Sequence, residues 1–385
     1  PWLQCRGPRL GHLRGSCTRR CSRCSHGYRI RVTAELDLTA DVVDVTAALV
    51  DLPSQSHHER ELADAVQAAL DGCAHLSVQR SGNAIVAETR ATPIEVIIAG
   101  HLDTVPAAGN LPHHIDGDRL FGLGSCDMKG GIAIALKLAH GLSSPNRGVR
   151  YIFYDCEEVA AVHNGLARLA EGDPSLLAAD LAIVMEPSNG VIEGGCQGTI
   201  RAEIRASGRR SHSARAWQGS NAIHSAQEIL ARLEKYTARE PEVDGLRYRE
   251  GLNAVGIRGG VAGNVIPDEC VVTVNYRFAP DTSVLEAIDH LNDVFTGFDV
   301  TVIDEAPGAR PGLLEPTVAS FVDAMGGQVE PKFGWTDVAR FASAGTPAVN
   351  FGPGDPTIAH TVNENVRIDE IRGVHGALSA WLGAR

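Results

Sequence analysis

Apolar residues in this chain recur in short runs bounded by turn formers, and between those runs they recur at helical spacing. Residues 94–99, 149–154, 181–185 and 348–351 are such runs, the pattern of strands buried on both faces. The stretch 41–52 is rich in Val, Ala and Leu. Leu62, Val66 and Leu70 repeat four apart after a Ser-Gln-Ser start signal, and 131–142 is again helical in pattern. Strands alternating with helices predict βαβ units and a mostly parallel sheet, hence an α/β fold.

Residues 195–304 read differently. Here 199–206 and 270–278 alternate polar and apolar positions with period two, as half-buried antiparallel strands do. The segments 221–236 and 282–295 have the spacing of amphipathic helices. After 304 the first pattern returns. The expectation is a larger α/β domain from 32–194 and 305–385, interrupted by a smaller α+β domain over 195–304.

Composition narrows the function classes. A chain of 385 residues can bury two cores, and 44% hydrophobic with 21% charged residues is ordinary for a globular protein. No apolar run approaches the roughly 20 residues of a membrane span, so no membrane partner is expected. A formal net charge of −12 argues against nucleic acid as a partner but leaves a small anionic substrate open, since local arginines can override the global sign. Residues 1–31 stand apart, with eight arginines, no acidic residue, and Cys5, Cys17, Cys21 and Cys24. Cys21 and Cys24 form one CxxC with no second pair to complete a zinc site. Such a segment has little to bury, and is expected to be disordered upstream sequence, with the natural start near Val32. Cys73, Cys126, Cys156, Cys196 and Cys270 show no framework spacing, which suits a reducing cytoplasm.

The chemistry lies at the strand ends. His101 and Asp103, in GHLDTVP, follow the strand at 94–99, and i, i+2 side chains on extended chain point the same way. Asp127 sits in GLGSCDMKGG, a glycine-rich turn that opens a helix. Glu157 and Glu158 follow the strand at 149–154, Glu186 ends the strand at 181–185, and His360 follows the one at 348–351. Sites in open α/β sheets form beyond the carboxyl ends of the strands. Several carboxylates gathered there are costly without a compensating cation. Histidine and carboxylate donors without cysteine suit zinc, cobalt or manganese in a hydrolytic site.

The strings HLDTVP, GLGSCDMKGG, YDCEE, EP and AHTVNE, in this order, resemble the two-zinc metallopeptidases of the aminoacylase and carboxypeptidase-like family, from about residue 40 to the C-terminus. The resemblance implies a zinc-exopeptidase-like catalytic domain and two zinc ions per subunit, with cobalt or manganese as substitutes. His101 and Glu186 would bind one ion, Glu158 and His360 the other, and Asp127 would bridge them. Asp103 would orient His101, Glu157 would be the general base, and the peptide after Asp127 would be cis. His212, in GRRSHSARAWQGSNA, resembles the family histidine that reaches the site from a second subunit, so a homodimer is expected and 195–304 becomes a dimerisation domain. Ala216 and Trp217 stand where the family often has proline.

For the substrate, Asn264 and Arg277 resemble the family's binding positions in the inserted domain, and Thr336 and Gly352 those on the catalytic side. The run YREG, GGVAGNVIP, NYRFAP, GWTDVARF and NFGPGDP is similar to the actinobacterial branch that removes succinate from N-succinyl-LL-2,6-diaminopimelate, although Trp335-Thr336-Asp337 replaces the more widespread TSD. Three alternatives stay open: a deacylase or carboxypeptidase for N-acetyl-ornithine or other N-acyl amino acids, an inactive metal-binding partner protein, and a nucleotide-binding α/β protein. The last lacks a full phosphate loop, since Gly122–Gly124 is only a fragment of one.

Overall fold

A computed structural model describes residues 35–90 and 93–383. The expectations for 1–31, with Cys5, Cys17, Cys21 and Cys24, lie outside the described residues.

The main sheet has eight strands, in the spatial order Leu76–Ser81, Ala84–Thr89, Gly148–Tyr154, Ile94–His101, Leu181–Val184, Ala348–Asn350, Ile192–Gly194 and Val329–Pro331. Its centre is parallel: Ile94–His101 pairs in that sense with Gly148–Tyr154 and with Leu181–Val184, which pairs with Ala348–Asn350. Antiparallel pairings flank the centre, through the hairpin Leu76–Ser81 and Ala84–Thr89 on one side and Ile192–Gly194 on the other. Every residue of Gly148–Tyr154 is buried, as a strand covered on both faces must be.

Local signals set the helix starts. Asp41 caps Val42–Val50 by accepting the Val43 N–H at 2.9 Å. In Arg60–Asp71 the i, i+4 set Leu62, Val66 and Leu70 is buried. Helices Val42–Val50, Gly130–Gly141 and Ile368–Gly383 pack on one another. Gly130–Gly141 has almost no polar face and is buried along most of its length.

A separate four-stranded antiparallel sheet is ordered Gly251–Gly259, Glu269–Phe278, Gly198–Ser207, Asp299–Ala306. Helices Ala222–Glu234 and Val284–Val294 pack on it, the latter started by a capping box between Ser283 and Glu286. Gly198–Ser207 alternates buried and less buried positions, so one face turns to a core of its own that includes Ile200, Ile204, Ile229, Val272 and Leu291. No helix among the described residues is long and apolar enough to cross a membrane.

Parallel strands end on the same edge. His101, Asp155, Glu186 and Phe351 therefore all leave the central sheet on one side, and close backbone packing holds that side together. A Cβ on Gly131 would lie 2.3 Å from the Met185 carbonyl oxygen, and one on Gly352 would lie 2.5 Å from the same atom and 2.6 Å from that of Glu186. Both contacts are with backbone, which cannot rotate away. Gly131→Ala is therefore expected to destabilise the protein by about 1–3 kcal/mol, read as a lowered urea midpoint with an unchanged slope.

Candidate active site

Asp127 lies between two imidazoles. Its Oδ1 is 3.1 Å from His101 Nε2 and its Oδ2 is 3.3 Å from His360 Nε2. His360 Nε2 is also 2.7 Å from Glu158 Oε1. Donor atoms of His101, Asp127 and Glu158 all fall within 4.8 Å of one another. The turn that delivers Asp127 leaves helical geometry at that residue, and the Asp127–Met128 peptide is cis, as the resemblance implies.

Asp103 is fully buried and organises the opposite side. Its Oδ1 accepts the Glu157 N–H at 2.9 Å, and its Oδ2 accepts the Glu158 N–H at 3.1 Å and the Ser56 hydroxyl at 2.8 Å. Its carboxylate is 3.6 Å from His101 Nδ1, which also meets the Asp103 carbonyl oxygen at 3.0 Å. One aspartate thus ties the Glu157–Glu158 turn to the histidine.

Glu186 is buried beside this group, with the Lys332 ammonium among its electrostatic neighbours. Lys332 pairs directly with Glu193 at 2.6 Å. Burial pushes Glu186 up to about 8, and the charges of Asp127 and Glu158 add to that push against His101 and Lys332. Glu157 keeps some exposed surface but is ringed by protein. This burial lifts it well above the usual carboxyl range, Asp337, Glu186 and Glu158 lifting it further against His101. Burial also opposes charge on His101, yet Asp103 and Asp127 outweigh it and hold that ring well above its ordinary value. Hydrogen bonding to Asp127 and Glu158 lifts His360 to about 10. Asp127 is largely enclosed, but the two imidazoles overcome the desolvation penalty and hold it below the carboxylate range.

These directions test whether a cation fits. Among the described residues no lysine or arginine pairs with Asp127, Glu157, Glu158 or Glu186, and the imidazoles are the only direct compensation. A neutral His101 that donates from Nδ1 to the Asp103 carbonyl would point the Nε2 lone pair at the Asp127 carboxylate, which is repulsive unless a cation lies between. Two imidazole nitrogens and several carboxylate oxygens form a donor set for a divalent cation of the zinc, cobalt or manganese kind.

The other residues singled out from the sequence are placed as follows. His212 is exposed on the short strand Ser211–His212; its Nδ1 accepts the Ala214 N–H at 3.0 Å, and among the described residues it makes no hydrogen bond or ion pair with the cluster. Asn264 is exposed nearby, its carbonyl accepting the Ser213 N–H. Arg277 is half-buried, donates from Nε to Asn275 Oδ1 at 3.2 Å, and forms no ion pair among the described residues. Burial pushes its guanidinium below its ordinary value. Thr336 is buried and donates its hydroxyl to Asn350 Oδ1 at 2.8 Å. Gly352 N–H donates to Ser188 Oγ at 3.0 Å, beside the Glu186 strand end.

Sequence reasoning assigned no role to Glu364 or Ser56. Glu364 Oε1 accepts the N–H groups of Cys126 and Asp127, each at 3.2 Å, and the side chain is buried. It lies four residues beyond His360 in AHTVNE, and that shared string was the available signal.

The family model for peptidase family M20/M25/M40 matches residues 97–382. A Mycobacterium tuberculosis protein provisionally named succinyl-diaminopimelate desuccinylase is 51% identical over 352 residues, covering 90% of this chain and 99% of its own. The succinyl-diaminopimelate desuccinylase of Corynebacterium glutamicum is 42% identical over 359 residues, covering 90% and 97%. Among solved structures, a Bacillus subtilis dinuclear metal-binding peptidase of the M20 family superposes with a TM-score of 0.66 at 18% identity, covering 89% of this chain and 96% of that one.

Removing the Glu364 carboxylate would orphan two buried N–H groups at the Asp127 turn, at about 1–3 kcal/mol each. Glu364→Ala is expected to weaken divalent-metal binding by about 10–100-fold in a competition titration, while Glu364→Gln, which keeps an acceptor, retains most of the affinity.

Proposed function

Because this chain belongs to the peptidase family M20/M25/M40, we propose that it is a metal-dependent amidohydrolase that cleaves N-succinyl-LL-2,6-diaminopimelate to succinate and LL-2,6-diaminopimelate. The observation that carries the metal centre is Asp127, held between His101 and His360 with one carboxylate oxygen facing each ring. Near full-length similarity to two proteins named for this substrate supports its identity.

In this reading His101 and Glu186 would hold one zinc, Glu158 and His360 the other, and Asp127 would serve both. When bound, the two ions supply Lewis-acid polarisation of the amide carbonyl and acidify a water molecule. Asp103 fixes the ring of His101 and, through its bonds to the Glu157 and Glu158 N–H groups, sets where both glutamates stand. Glu157 takes a proton from the attacking water and returns it to the departing amine nitrogen, so that one water is consumed and the carboxylate and amine are released.

Arg277 is half-buried without a carboxylate partner among the described residues, which suits it to hold a substrate carboxylate by a two-pronged contact. Asn264 assists from the same side, and Thr336 and Gly352 line the opposite wall. Residues 195–304 act as a dimerisation domain, and His212 completes the site of a second subunit. What supports the homodimer is the edge strand Gly251–Gly259, where Val255 and Ile257 are more than half exposed, beside Ile223 and Leu230 on the adjoining helix. A cytoplasmic location completes the proposal.

Three measurements follow. The zinc-loaded protein should hydrolyse N-succinyl-LL-2,6-diaminopimelate in strong preference to N-acetyl-ornithine; the reverse preference returns the enzyme to the N-acyl amino acid deacylases. Glu157→Ala should keep fold and zinc content but lose turnover by at least about 10²–10⁴-fold, and an active variant would remove Glu157 from the base role. Ile257→Lys at the sheet edge should give a monomer by sedimentation with greatly reduced activity.

A further inference from the structure

Directly before Glu157 the chain carries a second group of metal-ligating side chains, sharing no residue with the first. Glu59, Asp155 and Cys156 are all buried, and a donor atom from each lies within 4.8 Å of the others. His57 joins them, with Nδ1 at 3.5 Å from Cys156 Sγ, and Glu59 Oε1 is 3.3 Å from the same sulfur. A tetrahedral zinc, with bonds of about 2.3 Å to sulfur and about 2.0–2.1 Å to nitrogen or oxygen, separates sulfur from its neighbouring donors by about 3.5 Å. The two spacings, 3.5 and 3.3 Å, are close to that value.

Charge points the same way. Glu59 is fully buried, and among the described residues no lysine or arginine pairs with it. Its Oε1 accepts the His57 N–H at 2.7 Å and the Cys156 thiol, and its Oε2 accepts from Asn83 Nδ2 only at 3.4 Å. These three donors are neutral, so a cation beside Glu59 would add charge compensation that no lysine or arginine supplies. Asp155 is not in that condition, because Arg168 Nη2 lies 2.7 Å from each of its oxygens. It supports the group rather than serving as a donor. Both His57 and Cys156 have left-handed backbone, with φ of 72° and 58°, a conformation that costs a side-chain-bearing residue free energy and gathers at functional sites. That backbone is what brings thiol and imidazole together.

We propose that Cys156, His57 and Glu59 form a binding site for one borderline-soft divalent cation of the zinc kind, separate from the His101–Asp127–Glu158 cluster. The thiol proton leaves to solvent as the cation takes its place, and the fourth position is open to water. Such an ion ties the segment 57–59 to the turn 156–158. Ser56, at one end of that brace, bonds Asp103, and Glu157 and Glu158, at the other end, do so through their N–H groups. The third ion therefore stiffens the frame around Asp103 without touching substrate.

Cobalt(II) is a suitable probe, because sulfur-to-cobalt charge transfer absorbs in the near ultraviolet while a nitrogen and oxygen donor set gives no such band. Cobalt is titrated into the reduced, metal-free full chain with Cys5, Cys17, Cys21 and Cys24 replaced by serine, and into the same chain carrying Cys156→Ser or His57→Ala. The proposal expects a saturable charge-transfer band, lost in Cys156→Ser and needing at least about tenfold more cobalt in His57→Ala. Absence of the band, its survival in Cys156→Ser, or an unshifted His57→Ala titration would overturn it. Should Cys156→Ser fail to fold, by circular dichroism, His57→Ala decides alone, since His57 is exposed and outside both hydrophobic cores.

Discussion

Everything at the candidate active site depends on one electrostatic constraint: buried and half-buried carboxylates converge on two imidazoles. Moving an isolated carboxylate out of water costs several kcal/mol even after relaxation. Asp103 escapes through three donors of its own, the N–H groups of Glu157 and Glu158 and the Ser56 hydroxyl. Glu157 and Glu186 have no comparable set, and burial drives both toward the protonated form. Such an arrangement persists because the fold forces it. The central strands are parallel, so their ends share one edge, and the backbone contacts at Gly131 and Gly352 fix the Glu186 strand end close to its neighbours. A fold that gathers negative charge in this way is built for a cation.

The fold was legible where residues interact with near neighbours along the chain. The apolar run at 94–99 extends in the structure to His101, which still pairs with Tyr154, so the histidine begins its work as the last residue of the strand. The alternation at 199–206 and 270–278 showed two strands of the second sheet because their inner faces are covered. Gly251–Gly259 carried no such signal: it is an edge strand, exposed along most of its length, and has no period to read. Asp299–Ala306 escaped for the same reason, with no fully buried position.

The site divides along the same line. His101 with Asp103, and Glu157 with Glu158, could be picked out because each pair is local. Glu364 supports Asp127 from 237 residues away, and Ser56 reaches Asp103 across 47, so nothing in either neighbourhood announces the bond. The Thr336 hydroxyl spends its hydrogen on Asn350, a commitment that no motif reveals. Nothing local singles out Cys156, because its partners, His57 and Glu59, lie in a different segment. Distinct donor chemistries thus meet at the 155–158 turn, oxygen and nitrogen on one side and sulfur on the other.

The central proposal is that Asp127 compensates two cations at once. The most direct test is a zinc titration by calorimetry of the metal-free protein, compared with Asp127→Asn, which keeps the shape of the side chain but removes its charge. The account predicts tight zinc binding by the wild-type protein and its loss at the His101–His360 cluster in the variant, with the fold retained. Zinc binding of unchanged affinity and stoichiometry in Asp127→Asn would contradict it.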